Sequence, residues 1–350
     1  MILTSFEYKE TGWELKDLAP LKPVNLFVGR NATGKTRSIR AIRNVAQFLQ
    51  NNDLKTDQSF ETELKFGSKE DKSWTMTYSF KITKDVVEKE SLVVNGDILI
   101  NRTKLTAKYK NTSVDPPSDK LIVQVRRDKS LYPDIEKLME WAEGVVMVSC
   151  SGISNSSFGI GKVANRYSFS NIVDSLSAEE KKKVISLAKI LGYNIAGIKV
   201  IEIGNALRFV QLKERSVLLA DTQLSNGMFR TLYLLCFIFF IKHDKKLSLL
   251  LIDDLGEGLD YRRSVDLGKM IFNDCKEYGL QLIASSNDAF LMDVVDIADW
   301  QVLSRNNGKV TSINSKNNPD LFRKFRMTGL SNFDFFSSDF IDNYLNEQQK

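Results

Sequence analysis

The segment GRNATGKT at residues 29–36 constrains the fold more than any other part of the chain. It fits the pattern GxxxxGK[ST] and follows the apolar stretch VNLFV, and apolar residues after it recur at the three-to-four spacing of a helix. A glycine-rich loop between a strand and a helix N-terminus presents backbone N–H groups to phosphate oxygens. The sequence therefore predicts a phosphate-binding loop, called the P-loop below, at residues 29–36.

The last three residues of the P-loop are expected to have distinct chemical roles. Gly34 allows the backbone to approach a phosphate closely, because it has no side chain. Lys35 is expected to bridge the β- and γ-phosphates of a nucleotide, and the Thr36 hydroxyl is expected to ligate Mg²⁺. These residue types at this spacing predict a site for a nucleotide with Mg²⁺.

A second segment, LLLIDD at residues 249–254, is an apolar strand that ends in two carboxylates. A buried strand that delivers acids at its carboxyl end is typical of a Walker B element. Asp253 is expected to hold Mg²⁺, and Asp254 is expected to position the attacking water or to act as general base. Glu257 follows in a glycine-flanked turn and is the alternative for the second role.

A third segment, LSNGMFR at residues 224–230, lies at a predicted strand-to-helix junction. Ser225, Gly227 and the N-terminus of the helix together suit the γ-phosphate of a nucleotide. An ordinary serine cap in front of a buried helix explains the same residues. The segment therefore leaves both interpretations open.

Composition excludes several chemistries. The chain has 350 residues with a single histidine, which excludes histidine-rich zinc sites, HNH-type nucleases and HD-type phosphohydrolases. Its three cysteines form no CxxC pair, so we expect a reducing compartment, the cytoplasm. The N-terminus lacks a signal-peptide pattern, and the apolar run at 232–241 is too short to cross a bilayer. A net charge of +5 permits contact with DNA without indicating it.

The pattern of elements predicts an α/β fold divided into three parts. Residues 1–50 and 205–315 are expected to form a core in which strands and helices alternate. Residues 51–204 are expected to form an inserted β-subdomain and helical lobe, and 316–350 a C-terminal tail. Within the insert, LIVQV at 121–125 is predicted as a strand, and the Ser-, Gly- and Asn-rich stretch at 150–170 as a loop.

The order of these motifs resembles that of ABC-class ATPases. Asn31 matches the GxNxxGK form of the RecF and SMC branch, the Asp-Asp end of the 249–254 strand is similar to RecF-like heads, and Leu259-Asp260 resembles a D-loop. The resemblance implies an ABC-type ATPase head with a largely parallel central sheet, an antiparallel β-subdomain and a helical lobe. It implies that two heads enclose ATP and Mg²⁺ and that hydrolysis is slow.

The resemblance also assigns residues. Asn287 occupies the position of the family's switch histidine, and Gln124 is the candidate for a glutamine that contacts Mg²⁺. Trp13 is either a core residue or a residue near the adenine. The residues expected to bind ATP are Arg30, Asn31, Ala32, Thr33, Gly34, Lys35, Thr36, Ser225, Gly227 and Asn287.

The biological role has several candidates. Heads of this type without a long coiled coil resemble ATPase subunits of bacterial antiphage systems and retrons, which implies control of a nuclease or toxin encoded nearby. A RecF-like DNA repair ATPase is the alternative, and Arg37, Arg40 and Arg43 on the P-loop helix are candidate DNA or dimer contacts if they are not simply a solvated face. An ABC transporter subunit fits less well, because of the Phe-Arg end of the 224–230 motif and the long insert.

Overall fold

The computed structural model describes residues 1–51, 59–150, 167–204, 207–338, 340–341 and 343–344. The strands are β1 (Ile2–Glu10), β2 (Trp13–Leu18), β3 (Val24–Val28), β4 (Phe60–Gly67), β5 (Thr75–Thr83), β6 (Val86–Val94), β7 (Asp97–Arg102), β8 (Ala107–Tyr109), β9 (Thr112–Ser113), β10 (Val145–Ser149), β11 (Ile195–Ile203), β12 (Leu207–Glu214), β13 (Val217–Ala220), β14 (Leu249–Asp253), β15 (Gln281–Ser285), β16 (Trp300–Asn306) and β17 (Lys309–Ile313). The helices are α1 (Lys35–Gln50), α2 (Ile122–Val125), α3 (Pro133–Glu143), α4 (Phe169–Ser175), α5 (Ala178–Ile190), α6 (Asn226–His243), α7 (Tyr261–Tyr278), α8 (Ala289–Val294), α9 (Pro319–Arg326) and α10 (Asn332–Ser337).

One large sheet runs through the molecule in the order β10-β14-β15-β3-β16-β17-β2-β1-β4-β5-β6-β7-β8-β9. Neighbouring strands from β10 to β16 are parallel, and those from β2 to β9 are antiparallel. A second, smaller antiparallel sheet has the order β11-β12-β13. The predicted α/β head with a parallel centre and an antiparallel β-subdomain is therefore confirmed.

The parallel strands are buried because helices cover both faces of the sheet. Every residue of β3, β14 and β15 is buried. Along β3, Val24, Leu26 and Val28 face a core shared with α6 and α7, whereas Phe27 faces a second core shared with α1. The apolar run at 232–241 lies within α6, and all of its residues are buried. This packing fixes the ends of the parallel strands, where the predicted motifs lie.

One predicted element is wrong. Residues 121–125 were expected as a strand, but Ile122–Val125 form the short helix α2. The free N–H groups at its start are satisfied by side chains, which stabilises a helix end. The Glu90 carboxylate accepts hydrogen bonds from the N–H groups of Ile122 and Val123, at 2.7 and 3.2 Å, and the Gln124 side chain accepts one from Leu121.

Elements on different sides of the predicted domain boundaries pair or pack with one another. β10 comes from the predicted insert, yet it pairs with β14 at the edge of the parallel strands. β11 and β12 lie on either side of residue 205, yet they pair along most of their length. In the predicted tail, phenylalanines of α9 and α10 are buried in the same core as α6. Most of the predicted loop at 150–170 lies outside the described residues.

Glu90 is buried in the antiparallel part of the sheet, beside the Tyr78 hydroxyl and 3.8 Å from an Arg102 nitrogen. Burial raises the pKa of the Glu90 carboxyl to about 7, although the hydrogen bonds it accepts act in the opposite direction. The folded protein therefore holds this proton more tightly than the unfolded chain does.

No helix among the described residues is long and apolar enough to span a bilayer.

We expect this carboxyl to make stability depend on pH. The free energy of unfolding should fall as pH rises from the unfolded value of about 4.5 to about 7, by about 3 kcal/mol at most, and then level off. The measurement is urea denaturation at a series of pH values. Glu90→Gln cannot titrate at this position, so the free energy of unfolding of the unaltered protein should fall relative to that of Glu90→Gln across this window. An identical pH slope in both proteins would contradict the prediction.

Candidate nucleotide-binding site

The P-loop connects the end of β3 to the start of α1 in a conformation that requires its glycines. A Cβ atom on Gly29 would lie 2.8 Å from the Leu303 carbonyl oxygen, and one on Gly34 would lie 3.2 Å from a Val310 methyl. Gly34 is also the N-cap of α1, with a φ of 102°, and has no side chain to cap the helix. The first N–H groups of α1 therefore have no side-chain cap, which is the arrangement that a phosphate site requires, and the binding of phosphate stays a prediction.

Lys35 lies folded back over the P-loop. Its Nζ donates hydrogen bonds to the carbonyl oxygens of Gly29, at 2.5 Å, and Arg30, at 3.2 Å. Burial lowers the pKa of Lys35, while the charges of Asp254 and Asp253 raise it. The ammonium group is therefore held above the loop by weak neutral acceptors, and phosphate oxygens would be stronger partners for it.

Thr36 and Asp253 meet as expected for a magnesium site. The Thr36 hydroxyl donates to Asp253 Oδ1 at 3.0 Å, and the Ser285 hydroxyl donates to the same oxygen at 2.8 Å. Asp253 is fully buried, and its Oδ2 has no hydrogen-bond partner. A buried carboxylate oxygen without a partner is costly unless a cation or water satisfies it. The residues present therefore fit Mg²⁺, which keeps waters and binds one or two carboxylates beside phosphate oxygens.

Asp254 and Glu257 lie in the turn after β14 and differ in their surroundings. Asp254 is half-buried, adopts a φ of 58°, and its N–H donates to the Ser285 hydroxyl. Its negative charge raises the pKa of Lys35. Glu257 is exposed, and its backbone carbonyl accepts a hydrogen bond from Arg230. Asp254 is therefore the better situated of the two carboxylates for a role at the phosphates.

Asn287 follows β15 and reaches across to the P-loop. Its Nδ2 donates to Asn31 Oδ1 at 3.3 Å, and both side chains are exposed. The structure thus brings together the loop, the acids after β14 and the position after β15, as the motif order predicts. The amide N–H groups of such a pair can donate hydrogen bonds to phosphate oxygens.

Ser225 and Gly227 occupy a different place. Ser225 caps α6, because its hydroxyl accepts a hydrogen bond from the Met228 N–H at 3.3 Å. A Cβ atom on Gly227 would lie 3.2 Å from the Gly258 carbonyl oxygen, so the start of α6 packs against the turn after β14. Arg230 reinforces this contact through the Glu257 carbonyl. The helix N-terminus is formed as predicted, and its role toward a phosphate stays a prediction.

Gln124 is not brought into the site. Its Nε2 donates to the carbonyl oxygens of Phe48 and Asn51, at 2.8 and 3.0 Å, at the C-terminal end of α1. Thr36 lies at the other end of this helix, about 18 Å away at 1.5 Å per residue. Gln124 therefore caps the P-loop helix instead of lying beside the Mg²⁺ ligands. The assignment rested on the resemblance to ABC-class ATPases, and the position of Gln124 in α2 does not support it.

Two residues of the site were missed by the sequence analysis. Ser285 binds Asp253 and orients the backbone of Asp254, and its signal is a polar residue at the carboxyl end of a buried strand. Arg305, near the end of β16, donates to the Ala32 carbonyl oxygen at 3.3 Å. It has no motif around it, so only the pairing of β16 with β3 could reveal it.

Comparisons with known proteins agree on the fold. No protein-family model matches the chain, and no curated protein matches its sequence. A solved SMC head bound to the winged-helix domain of ScpA is 15% identical with a TM-score of 0.56, covering 91% of this chain and 100% of that one. An SMC head from Pyrococcus furiosus bound to the C-terminal domain of ScpA is 14% identical with a TM-score of 0.54, over 93% and 99% of the two chains. An SMC head from Pyrococcus yayanosii is 9% identical with a TM-score of 0.51, over 93% and 99%.

These TM-scores establish a common fold, and at such low sequence identity they establish nothing finer. The chain has the fold of SMC head domains across nearly its whole length. The predicted ABC-type head architecture is therefore confirmed.

Proposed function

We propose that this chain is a regulatory ATPase that binds Mg²⁺ and ATP, pairs with a second copy around the nucleotide, and controls a separate effector protein. The observation that carries the proposal is the meeting of Thr36, Asp253 and Ser285 beneath the P-loop. The partnerless, buried Asp253 Oδ2 supplies the oxygen that a divalent cation requires.

The arrangement supports hydrolysis of the terminal phosphate by water. Lys35 and the N–H groups at the start of α1 hold the phosphates and balance the charge that develops on them. Asp254 orients the attacking water in line with the leaving oxygen, and Asn287 contacts the γ-phosphate. Mg²⁺, held by Thr36 and Asp253, adds positive charge at the phosphates. Most of the rate enhancement would come from positioning and charge, so a slow enzyme that acts as a switch is the expected result.

A second copy would complete the site. Ser225 and Gly227 start the buried helix α6, whose N-terminal N–H groups suit a γ-phosphate. In this chain they pack toward the turn after β14. We propose that they face the P-loop of a partner, so that two copies related by a two-fold axis form two composite sites.

A mixed dimer tests this pairing. Lys35→Ala removes the phosphate lysine, and Ser225→Arg blocks the N-terminus of α6, so each variant alone should trap almost no ATP. When the two are co-expressed with different tags, both defects fall in one site and the other site is intact. The purified mixed dimer should trap about one ATP per dimer, by the symmetry of a two-fold interface. Trapping no ATP in the mixed dimer, or full activity in a monomer, would contradict the pairing.

We further propose that the effector is a nuclease or toxin encoded nearby, that the system serves antiphage defence, and that the protein acts in the cytoplasm. The support is the resemblance of the motif set to stand-alone heads of such systems. A pull-down from native cells should recover a product of an adjacent gene, more strongly in the presence of ATP. Recovery of DNA alone, with salt-dependent binding by the isolated protein, would favour the DNA repair alternative.

A further inference from the structure

The order of strands in the large sheet gives the P-loop two different flanks. On one side of β3 lie β15 and β14, which carry Ser285 and Asp253, and Asp254 follows directly after β14. On the other side lie β16, β17 and β2. Because the Mg²⁺ ligands and the candidate water-positioning acid belong to the first flank, the terminal phosphate is directed there. The nucleoside end of a bound nucleotide must then leave over the second flank.

Consecutive residues of α1 face these two flanks. The Thr36 side chain contacts Asp253, whereas the Arg37 side chain turns toward β1 and β2. The Arg37 guanidinium lies over the Trp13 ring, 4.7 Å from its centroid. Trp13 itself is only 2% exposed, so the ring cannot receive a base directly, and the core interpretation of this residue holds.

The guanidinium is fixed in place from the side. Arg37 Nη2 and Nε donate to Glu10 Oε1 at 2.6 and 3.2 Å. The other Glu10 oxygen accepts a hydrogen bond from the Tyr8 hydroxyl at 3.1 Å. Tyr8 in turn packs on Trp13, with ring centroids 5.8 Å apart. The side chain of Arg37 nevertheless remains 48% exposed. The guanidinium is thus held against the indole and the Glu10 carboxylate, and about half of the Arg37 side chain stays exposed to solvent.

We propose that the base of the bound nucleotide stacks on the exposed face of the Arg37 guanidinium, with Trp13 behind it. This rests on the proposed nucleotide-binding function and names the part of the site that holds the nucleoside. A guanidinium is planar, delocalised and weakly hydrated, and it stacks on aromatic planes better than an ammonium does. Because Glu10 and Trp13 already order the side chain, stacking costs little conformational entropy. The contact recognises a planar ring and not the phosphates.

The test separates the base from the phosphates. Binding of ATP and of inorganic tripolyphosphate, both with Mg²⁺, is measured by calorimetry on the full chain. The dissociation constant of tripolyphosphate divided by that of ATP gives the contribution of the nucleoside to affinity. Arg37→Ala should reduce this ratio about ten-fold, the scale for loss of one stacked base. Arg37→Lys keeps the charge without the plane and should reduce the ratio almost as far.

Matched variants keep the outcomes distinct. Arg40→Ala removes another exposed arginine one turn along α1 and should leave the ratio unchanged. Lys35→Ala should weaken both ligands. If Arg37→Ala weakens ATP and tripolyphosphate by the same factor, or changes neither, the stacking proposal is overturned while nucleotide binding stands. If the unaltered protein binds neither ligand, the proposed function itself fails. Thermal unfolding of each variant shows whether the packing around Trp13 survives.

Discussion

Replacing Lys35 with alanine is expected to reduce affinity for ATP about 30-fold or more. The loss of one partner from a buried, charge-assisted contact costs about 2–5 kcal/mol, and every 1.4 kcal/mol is a factor of ten. Lys35 is 6% exposed and its ammonium group lies over the loop, so its contact with a phosphate would be a buried one. Equilibrium binding of ATP with Mg²⁺ measures the effect.

The control for this prediction is Lys269→Ala, which removes an exposed lysine on α7. It should leave both affinity and the thermal midpoint unchanged. Lys35→Ala should unfold near the midpoint of the unaltered protein, since the bonds it loses are to two loop carbonyls. A folded Lys35→Ala protein that binds ATP normally would contradict the assignment of residues 29–36 as the loop that binds the phosphates.

Asp254→Asn is expected to bind ATP normally and to hydrolyse it about 10²-fold more slowly or worse, the scale for losing a group that takes or orients a proton. The substitution is well suited to this position. Asp254 adopts a φ of 58°, a conformation that asparagine tolerates better than most residues, so the turn after β14 should be preserved. The amide keeps the shape of the side chain and removes its charge and basicity. Single-turnover hydrolysis and ATP binding are both measured.

Glu257→Gln is the matched comparison, because it makes the same chemical change three residues along the turn. Glu257 is exposed and contributes its backbone carbonyl to Arg230, so its amide variant should hydrolyse ATP within a few-fold of the normal rate. The reverse pattern, a normal Asp254→Asn and an inactive Glu257→Gln, would move the water-positioning role to Glu257. Normal turnover in both would exclude this turn as its source.

The sequence was sufficient where local pattern and chemistry agree. The P-loop lies between an apolar strand and an amphipathic helix, and its glycines are required by close contacts that only glycine allows. The Asp-Asp end of β14 could be predicted because a fully apolar strand can end only where polar groups reach the surface or a site. The single serine in front of the apolar helix α6 likewise marks a cap, and Ser225 is that cap.

The sequence was insufficient where the environment decides. A short apolar run such as LIVQV suits a buried strand or a buried helix equally, and the Glu90 carboxylate selects the helix from 32 residues away. The role of Ser285 depends on β15 lying beside β14, and β10 pairs with a strand about a hundred residues further along the chain. Neither strand pairing can be predicted from the spacing of residues along the chain. The proposed contact of Ser225 with a γ-phosphate also depends on the environment, because the P-loop of a second copy would have to supply that phosphate.

The unbroken run of paired strands has a mechanical consequence. From β3 to β9 the sheet crosses ten strand spacings, roughly 50 Å at about 4.8 Å each. The β17–β2 ladder, from Lys309 opposite Glu14 to Thr311 opposite Lys16, joins the parallel and antiparallel parts. A hinge there would have to break that ladder. The two parts must therefore rotate together. A rotation of about 5° at the phosphate end would displace the far edge of the sheet by about 4 Å over that distance.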